Sequence, residues 1–338
     1  MAKLNARQLE AARSAGALAA LQTALNLQRV MATLSGELDV AASVGVEEDA
    51  VKELTGTSRT SYGGLVLAAY RGRADPANRL FAKTADETIA RGEGLGQQSV
   101  YLATAILDNG LGRYTTALTA AQRCMQEDHV PFTRWSFAEV IESAVRSGHP
   151  ELAGEALERL TAVTLGCSDW ATAIEARSRA LLSKGSEADG RYREAVELFA
   201  RTPLRPELAR SHLLYGEWLR REDRRLDARD QLRTAHDLFT EMGIEAFATR
   251  ARRELLAVGD SVRRRKPDAH NDLTAQELHI ARLARSGRTN SEIGEELFIS
   301  ARTVEWHLRK VFAKLNITSR RGLQEALPTR TQYTTQGA

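Results

Sequence analysis

Near the C-terminus, apolar residues recur at helical intervals and are interrupted at regular places. Leu278, Ala281, Leu283 and Ala284 make one run, and Ile293 and Leu297 a second. Val304, Leu308, Val311 and Leu315 make a third, whose steps of i, i+4, i+7 and i+11 trace one face of a helix. The interruptions carry caps. Thr274-x-x-Glu277 and Thr289-x-x-Glu292 are capping boxes, in which the two side chains satisfy first-turn backbone donors. Ser286-Gly287 stops the first helix and Ser300 is placed as N-cap of the third. Asn316 ends that helix where a left-handed residue is wanted. A fourth helix is predicted from near Ser319 to about Leu327, ahead of Pro328.

The third helix is two-sided. With the apolar stripe turned inward, Arg302, Glu305, Trp306, Arg309 and Ala313 fall on the opposite side, and Thr303, His307, Lys310 and Lys314 flank the stripe. A short helix crossing into a basic second helix is the geometry that sets side chains against base edges in the major groove, while flanking donors hold phosphates. Individual residues keep alternatives. Trp306 can pack against a neighbouring helix; Glu305 can accept from cytosine N4 or pair with Arg302 or Arg309 at helical spacing. His307 has no second ligand at a metal-binding spacing, which leaves it a structural or phosphate-contacting residue.

Through LTAQE, NSEIGEELFIS, ARTVEWHLRKVFAKLNI and SRRGL, residues 273–327 resemble a LuxR-type helix-turn-helix domain over about a sixth of the chain. The resemblance implies base contacts at Glu305, Trp306 and Arg309. It implies phosphate contacts at Thr289, Asn290, Arg302, Thr303, His307, Lys310 and Lys314, and dimerisation through the fourth helix. Two positions depart from the family pattern. Gly294 stands where Ala is usual, at a helix-propensity cost of about 1 kcal/mol. Asn316 stands where Gly is usual, and tolerates the same conformation.

Ahead of this block the chain is rich in Ala and Leu, with few alternating β-branched runs. Six turn positions align, Gly36, Gly72, Gly112, Gly148, Gly190 and Asp223, at spacings of 36, 40, 36, 42 and 33 residues. Five residues after each stands an alanine: Ala41, Ala77, Ala117, Ala153, Ala195 and Ala228. A turn between antiparallel helices followed by a small residue one turn on lets the pair approach closely, and each hairpin then needs the next to cover it. GLGRYTTALTAA (110–121) and ADGRYREAVELFA (188–200), with Tyr114 and Tyr192 in equivalent places, resemble degenerate tetratricopeptide repeats. A further helix runs to about Val258. Such arrays present a concave groove, for which Trp135, Trp170, Tyr101 and Trp218 are candidate lining residues, core packing being the alternative.

Charge sharpens this division. From Arg263 to Arg330, 14 Lys/Arg stand against 8 Asp/Glu, a surplus of +6, while the whole chain is +3. The basic excess therefore lies at the end that carries the helix-turn-helix pattern, as counter-ion release against phosphate requires. Arg263-Arg264-Arg265-Lys266 serves either as linker or as a DNA-proximal arm. Apolar content of 43% and charged content of 27% are those of a soluble globular protein with no membrane-length apolar run. The two cysteines, Cys124 and Cys167, have no pairing pattern, which fits a cytoplasmic location.

No phosphate loop of the G-x-x-x-x-G-K-[ST] kind occurs, and Gly92-Glu93-Gly94-Leu95-Gly96 reads as an inter-helical loop. Neither a nucleophile elbow nor a metal-ligand cluster is present, and the adjacent carboxylates Glu47-Glu48 and Glu295-Glu296 point about 100° apart on a helix. Catalysis has no candidate site, and no cofactor is implied.

The sequence thus predicts an all-α protein: a tetratricopeptide-like superhelix over residues 3–258, a basic linker at 259–272, a four-helix LuxR-type domain at 273–327 and a tail at 328–338. The expected function is sequence-specific binding of double-stranded DNA by a homodimer, with a protein or small-molecule effector in the repeat groove. Two alternatives remain: a tetratricopeptide-type adaptor, or the C-terminal portion of a larger ATP-dependent regulator.

Overall fold

The structure, a computed structural model, describes residues 2–57, 59–126, 130–164, 168–259, 275–297, 301–315, 317 and 319–323. At 2, 3, 130–134, 275, 276, 278, 295–297, 302, 303, 306, 313 and 314 the description covers the backbone alone. Among the described residues all regular structure is helical. The chain separates into two compact units, residues 1–261 and 262–338.

The first unit holds α1 (Ala2–Ser14), α2 (Leu18–Leu34), α3 (Leu38–Thr55), α4 (Tyr62–Arg71), α5 (Ala74–Arg91), α6 (Gly94–Leu111) and α7 (Tyr114–Met125). It continues through α8 (Val130–Ser147), α9 (Pro150–Thr164), α10 (Asp169–Leu182), α11 (Gly185–Ala200), α12 (Arg205–Arg221), α13 (Arg225–Met242) and α14 (Glu245–Ala257). Neighbours in sequence pack as hairpins, α2 on α3, α6 on α7, α8 on α9, α10 on α11 and α12 on α13. The first helices of successive hairpins also stack, α2 on α4, α4 on α6, α6 on α8 and α8 on α10. The outward positions of α1 mix polar Gln8, Glu10 and Arg13 with Leu4, Ala6 and Ala11, while Leu9 and Ala12 join Leu21, Leu25 and Val51 in a buried cluster.

The alanine register has a clear packing role. Ala41, Ala117, Ala153, Ala195 and Ala228 are fully buried and Ala77 is 2% exposed, and Ala228 lies against Gly216 of the facing helix. The turns that precede them are left-handed at Gly36, Gly72, Gly112 and Gly148, and at Asp223 with φ +60°. Gly16, Gly56, Gly92 and Gly243 supply the intervening left-handed turns, so the period of about 36 residues is two helices long. One expected turn is wrong. Gly190 lies inside α11, and the left-handed glycine is Gly185, at the start of that helix. Gly190-Arg191-Tyr192 shares its spelling with Gly112-Arg113-Tyr114, but α11 begins five residues earlier and carries Tyr192 into the core, whereas Tyr114 opens α7 and is half-exposed. Similarly, only Gly92 of the glycine-rich segment is a turn, since Gly94 and Gly96 belong to the first turn of α6.

The α2–α3 and α4–α5 turns meet the last helices, α12 to α14. A Cβ on Gly36 would strike Met242 Sδ at 2.3 Å, and one on Gly72 would strike the Ala246 backbone nitrogen at 2.4 Å. Tyr70 Oη donates to Glu207 Oε1 at 2.8 Å, and Arg73 Nε to Glu245 Oε1 at 2.7 Å. Helix α14 therefore packs against α4 and α6 as well as α12 and α13. It inserts Phe247 beside Gly110 and places Arg250 among charges from α8 and α12 and a backbone carbonyl of α6.

Those charges form a buried network. Glu139, Glu142 and Arg146 lie at helical spacing on α8, Arg177 on α10, and Glu207, Arg210 and Glu217 on α12. Arg210 bridges both Glu139 oxygens (2.6 and 2.8 Å) and Glu142 Oε2 (2.7 Å), while Arg177 donates to Glu207 Oε2 at 2.6 Å. Arg250 Nη1 donates to Glu142 Oε1 at 2.6 Å and to the Asn109 carbonyl at 3.1 Å; its Nε and Nη2 hold Glu217 at 2.7 and 2.9 Å. Arg146 also donates to Glu217. Four carboxylates thus meet four guanidiniums. Burial alone would push the Glu142 carboxyl upward, but Arg210, Arg250 and Arg146 outweigh it and hold it at about 2.

The aromatic candidates separate. Trp218 is core, stacked with Tyr215 at 6.1 Å and close to the fully buried Tyr192. Trp135 and Trp170 are half-buried and stack on each other at 5.7 Å, and Tyr101 lies beneath the Arg123 guanidinium.

Two outcomes are expected for stability. Gly92 and Gly72 share a left-handed backbone, but only Gly72 faces another chain segment. Urea unfolding of Gly92→Ala should show a loss of about 1–2 kcal/mol, and Gly72→Ala should lose a further ~1–3 kcal/mol by overpacking against α14. Separately, the folded value of Glu142 lies below its ordinary 4.5, so its contribution is complete above about pH 4.5 and disappears as pH falls through about 2. Glu142→Gln should lower stability at neutral pH by ~3–5 kcal/mol and flatten the acid limb of the stability–pH curve across that window.

Candidate nucleic-acid interface

The second unit contains α15 (Ala275–Arg285), α16 (Asn290–Leu297), α17 (Ala301–Leu315) and a 3-10 turn at Arg320–Gly322. Its core is one cluster of Ile280, Ala281, Ala284, Ile293, Val304, Leu308, Val311, Leu315 and Leu323, with Leu283, Phe312 and Ile317 packed against it. The four-residue stripe of α17 is buried as its spacing predicts, none of it more than 5% exposed. Ile280, outside the apolar run read from the sequence, is fully buried. Gly287, at φ +93°, ends α15 where the sequence places the stop.

The second capping box closes in both directions. Thr289 N–H donates to Glu292 Oε2 at 2.6 Å, and Glu292 N–H donates to Thr289 Oγ1 at 3.3 Å. The Thr289 hydroxyl also donates to Glu292 Oε2, at 3.0 Å. These bonds from the Thr289 backbone and hydroxyl hold the Glu292 carboxyl below its ordinary value. Both donors of Thr289 are therefore turned to its own helix.

On the far side of α17, Glu305 and Arg309 are exposed and joined, Arg309 Nη2 donating to Glu305 Oε1 at 2.8 Å. Of the pairings open to Glu305, the one with Arg309 is formed, and the Arg302 side chain lies outside the described residues. Lys310 is exposed beside them and His307 is half-buried. Arg302, Thr303, Trp306 and Lys314 are carried by the same helix, and their side chains lie outside the described residues. So do Thr274, Ser300, Asn316, the fourth helix after Leu323, the linker from 260 onward and the tail.

Arg320 has a role that its sequence neighbourhood does not signal. Its Nε donates to the Ala284 carbonyl at 3.1 Å, its Nη1 to Asn290 Oδ1 at 2.9 Å, and its Nη2 to the Arg288 carbonyl. One guanidinium thus ties the end of α15, the turn and the first residue of α16 together. Only a contact across 30 or more residues reveals it, so no local pattern could have done so.

Among the described residues, no group of three or more His, Cys, Asp and Glu could hold a metal ion. No helix among them is long and apolar enough to cross a membrane.

Residues 271–325 match the family described as bacterial regulatory proteins, luxR family. The chain is 35% identical over 100 residues to the HTH-type transcriptional regulator AlkS of Alcanivorax borkumensis, covering 27% of this chain and 11% of that protein. It is 47% identical over 51 residues to the transcriptional regulatory protein LiaR of Bacillus subtilis, covering 15% and 24%. It is 39% identical over 75 residues to a putative HTH-type transcriptional regulator of Mycobacterium tuberculosis, covering 22% and 8%. The chain therefore spans a quarter or less of the length of these relatives. No solved structure matches it. The second unit is a luxR-family helix-turn-helix domain.

Proposed function

We propose that this chain is a sequence-specific DNA-binding transcriptional regulator whose second unit reads duplex DNA through α17. The observation that carries the reading is the two-sidedness of that helix. Its apolar stripe is locked into a core with α15 and α16, and this leaves Glu305, Arg309 and Lys310 outward on a helix of the luxR-family domain. A helix so presented fits the major groove, where Arg recognises guanine O6 and N7 and a carboxylate accepts from cytosine N4. Glu305, Trp306 and Arg309 are then the base-reading residues. Asn290, Arg302, Thr303, His307, Lys310 and Lys314 supply phosphate contacts, with Thr289 joining them once its hydroxyl leaves Glu292. In the unbound domain the exposed Arg309 guanidinium donates to Glu305, a pair in water that opens when a base edge offers better partners.

The repeats act in this reading as a partner-binding or oligomerisation module that decides whether two DNA-binding units occupy adjacent half-sites as a homodimer. A protein or small-molecule effector is assigned to the groove of the repeats, and Val46, Leu54 and Ile89 on α3 and α5 are further exposed apolar positions. Equal affinity and stoichiometry on DNA for the full chain and for residues 263–338 would remove this regulatory role.

Selection of bound fragments from a random duplex pool tests the central claim. The intact chain should enrich a motif containing G·C pairs, and Arg309→Ala should relax the preference by about 1–3 kcal/mol at one position. Failure of the intact chain and of residues 263–338 to enrich any sequence would favour an adaptor built on the repeats. Lys310→Ala should instead weaken binding to all sequences alike and lower the slope of log affinity against log salt by about 1.

A further inference from the structure

Arg320 lies at the start of the 3-10 turn that follows α17, yet its three hydrogen bonds all reach back to the α15–α16 corner. The acceptors differ in kind. The Ala284 carbonyl belongs to the last turn of α15, and the Arg288 carbonyl to the connecting turn. Asn290 Oδ1 is a side-chain atom on the first residue of α16. A guanidinium has donors and no acceptor, so the amide of Asn290 can meet it only through its oxygen. That fixes the orientation of the amide group. Its Nδ2 hydrogens are directed away from Arg320, at the helix edge where the phosphate backbone runs in the DNA-binding reading. A rotated amide would turn Nδ2 against five N–H donors and present an oxygen to phosphate, which repels it.

Neighbouring Thr289 shows the opposite condition, with hydroxyl and N–H both committed to Glu292. Of the two residues at this corner, Asn290 is thus the one already oriented as a donor. We propose that Arg320 is a positioning residue for phosphate binding. By accepting its hydrogen bond, Asn290 is held with its amide N–H groups toward the DNA, and the start of the segment after α17 is thereby coupled to the grip of α16 on the backbone. The proposal rests on the DNA-binding reading and adds to it a residue that acts on DNA without touching it. Lysine cannot replace this function, because one ammonium on a flexible stem does not span three fixed acceptors.

The test measures binding of the full-length chain to a fluorescently labelled mixed-sequence duplex across a salt series. Thermal melts on every variant accompany it. Arg320→Lys and Asn290→Ala should each weaken binding about tenfold, the scale of one hydrogen bond to a charged group, and the double variant should bind no more weakly than either single one. Arg320→Ala should weaken binding with an unchanged salt slope. A slope reduced by about 1 would mean that Arg320 grips a phosphate itself. Losses that multiply in the double variant would mean a structural role independent of Asn290; either result overturns the proposal. Normal binding by both single variants defeats it while leaving the DNA-binding reading intact. Absence of binding by the unaltered chain defeats that reading and this one with it. The Lys variant retains charge and bulk, and so carries the test if the Ala variant melts below the assay temperature.

Discussion

Moving a carboxylate out of water costs several kcal/mol unless a cation and hydrogen bonds replace the solvent. The inner face of the first unit buries four of them. Glu139, Glu142, Glu207 and Glu217 each lie within hydrogen-bonding distance of a buried arginine. Because the partners come from α8, α10, α12 and α14, no helix can shift without stranding a charge. Apolar side chains tolerate sliding and repacking, whereas bidentate guanidinium–carboxylate pairs accept only a narrow range of distances and angles. The network therefore sets the register in which the hairpins stack. It also accounts for α14 turning inward, since Arg250 is held by Glu142 on one side and Glu217 on the other.

How much of this is legible in the chain depends on distance along it. Capping boxes, the α17 stripe and the six alanines are relationships within a few residues, and the fold realises them wherever they are described. Gly190 misleads because a local spelling, Gly-Arg-Tyr, occurs both at a turn and inside a helix, and helix length decides between them. Glu139 and Glu142 are indistinguishable in sequence from solvated charges. Their burial follows from Arg210 and Arg250, 71 and 108 residues further on. Trp218, offered as a groove residue with the core as alternative, takes the core, stacked among tyrosines from its own and a neighbouring helix. Within the second unit, likewise, the outward face of α17 is readable, while Arg320 is not.

The two units treat charge differently. In the first, the network around Arg210 and Arg250 is enclosed, so solvent and salt scarcely screen it, although pairs such as Arg73–Glu245 lie at the surface. In the second, the Glu305–Arg309 pair stands in water, where such a pair contributes little to stability and can open when a better partner comes. One set of charges holds an architecture; the other remains available for exchange.

Contact between α4 with its following turn and the last helices has an evolutionary consequence. An open array of hairpins can gain or lose a unit, because each touches only its neighbours. Here Tyr70 must find Glu207 and Gly72 must admit Ala246, so duplicating or deleting one hairpin would carry those partners out of reach. Change by repeat number is closed to this unit. Its descendants must diverge by substitution within a fixed set of helices, and kin that differ by one hairpin would need new partners for Glu207 and Ala246.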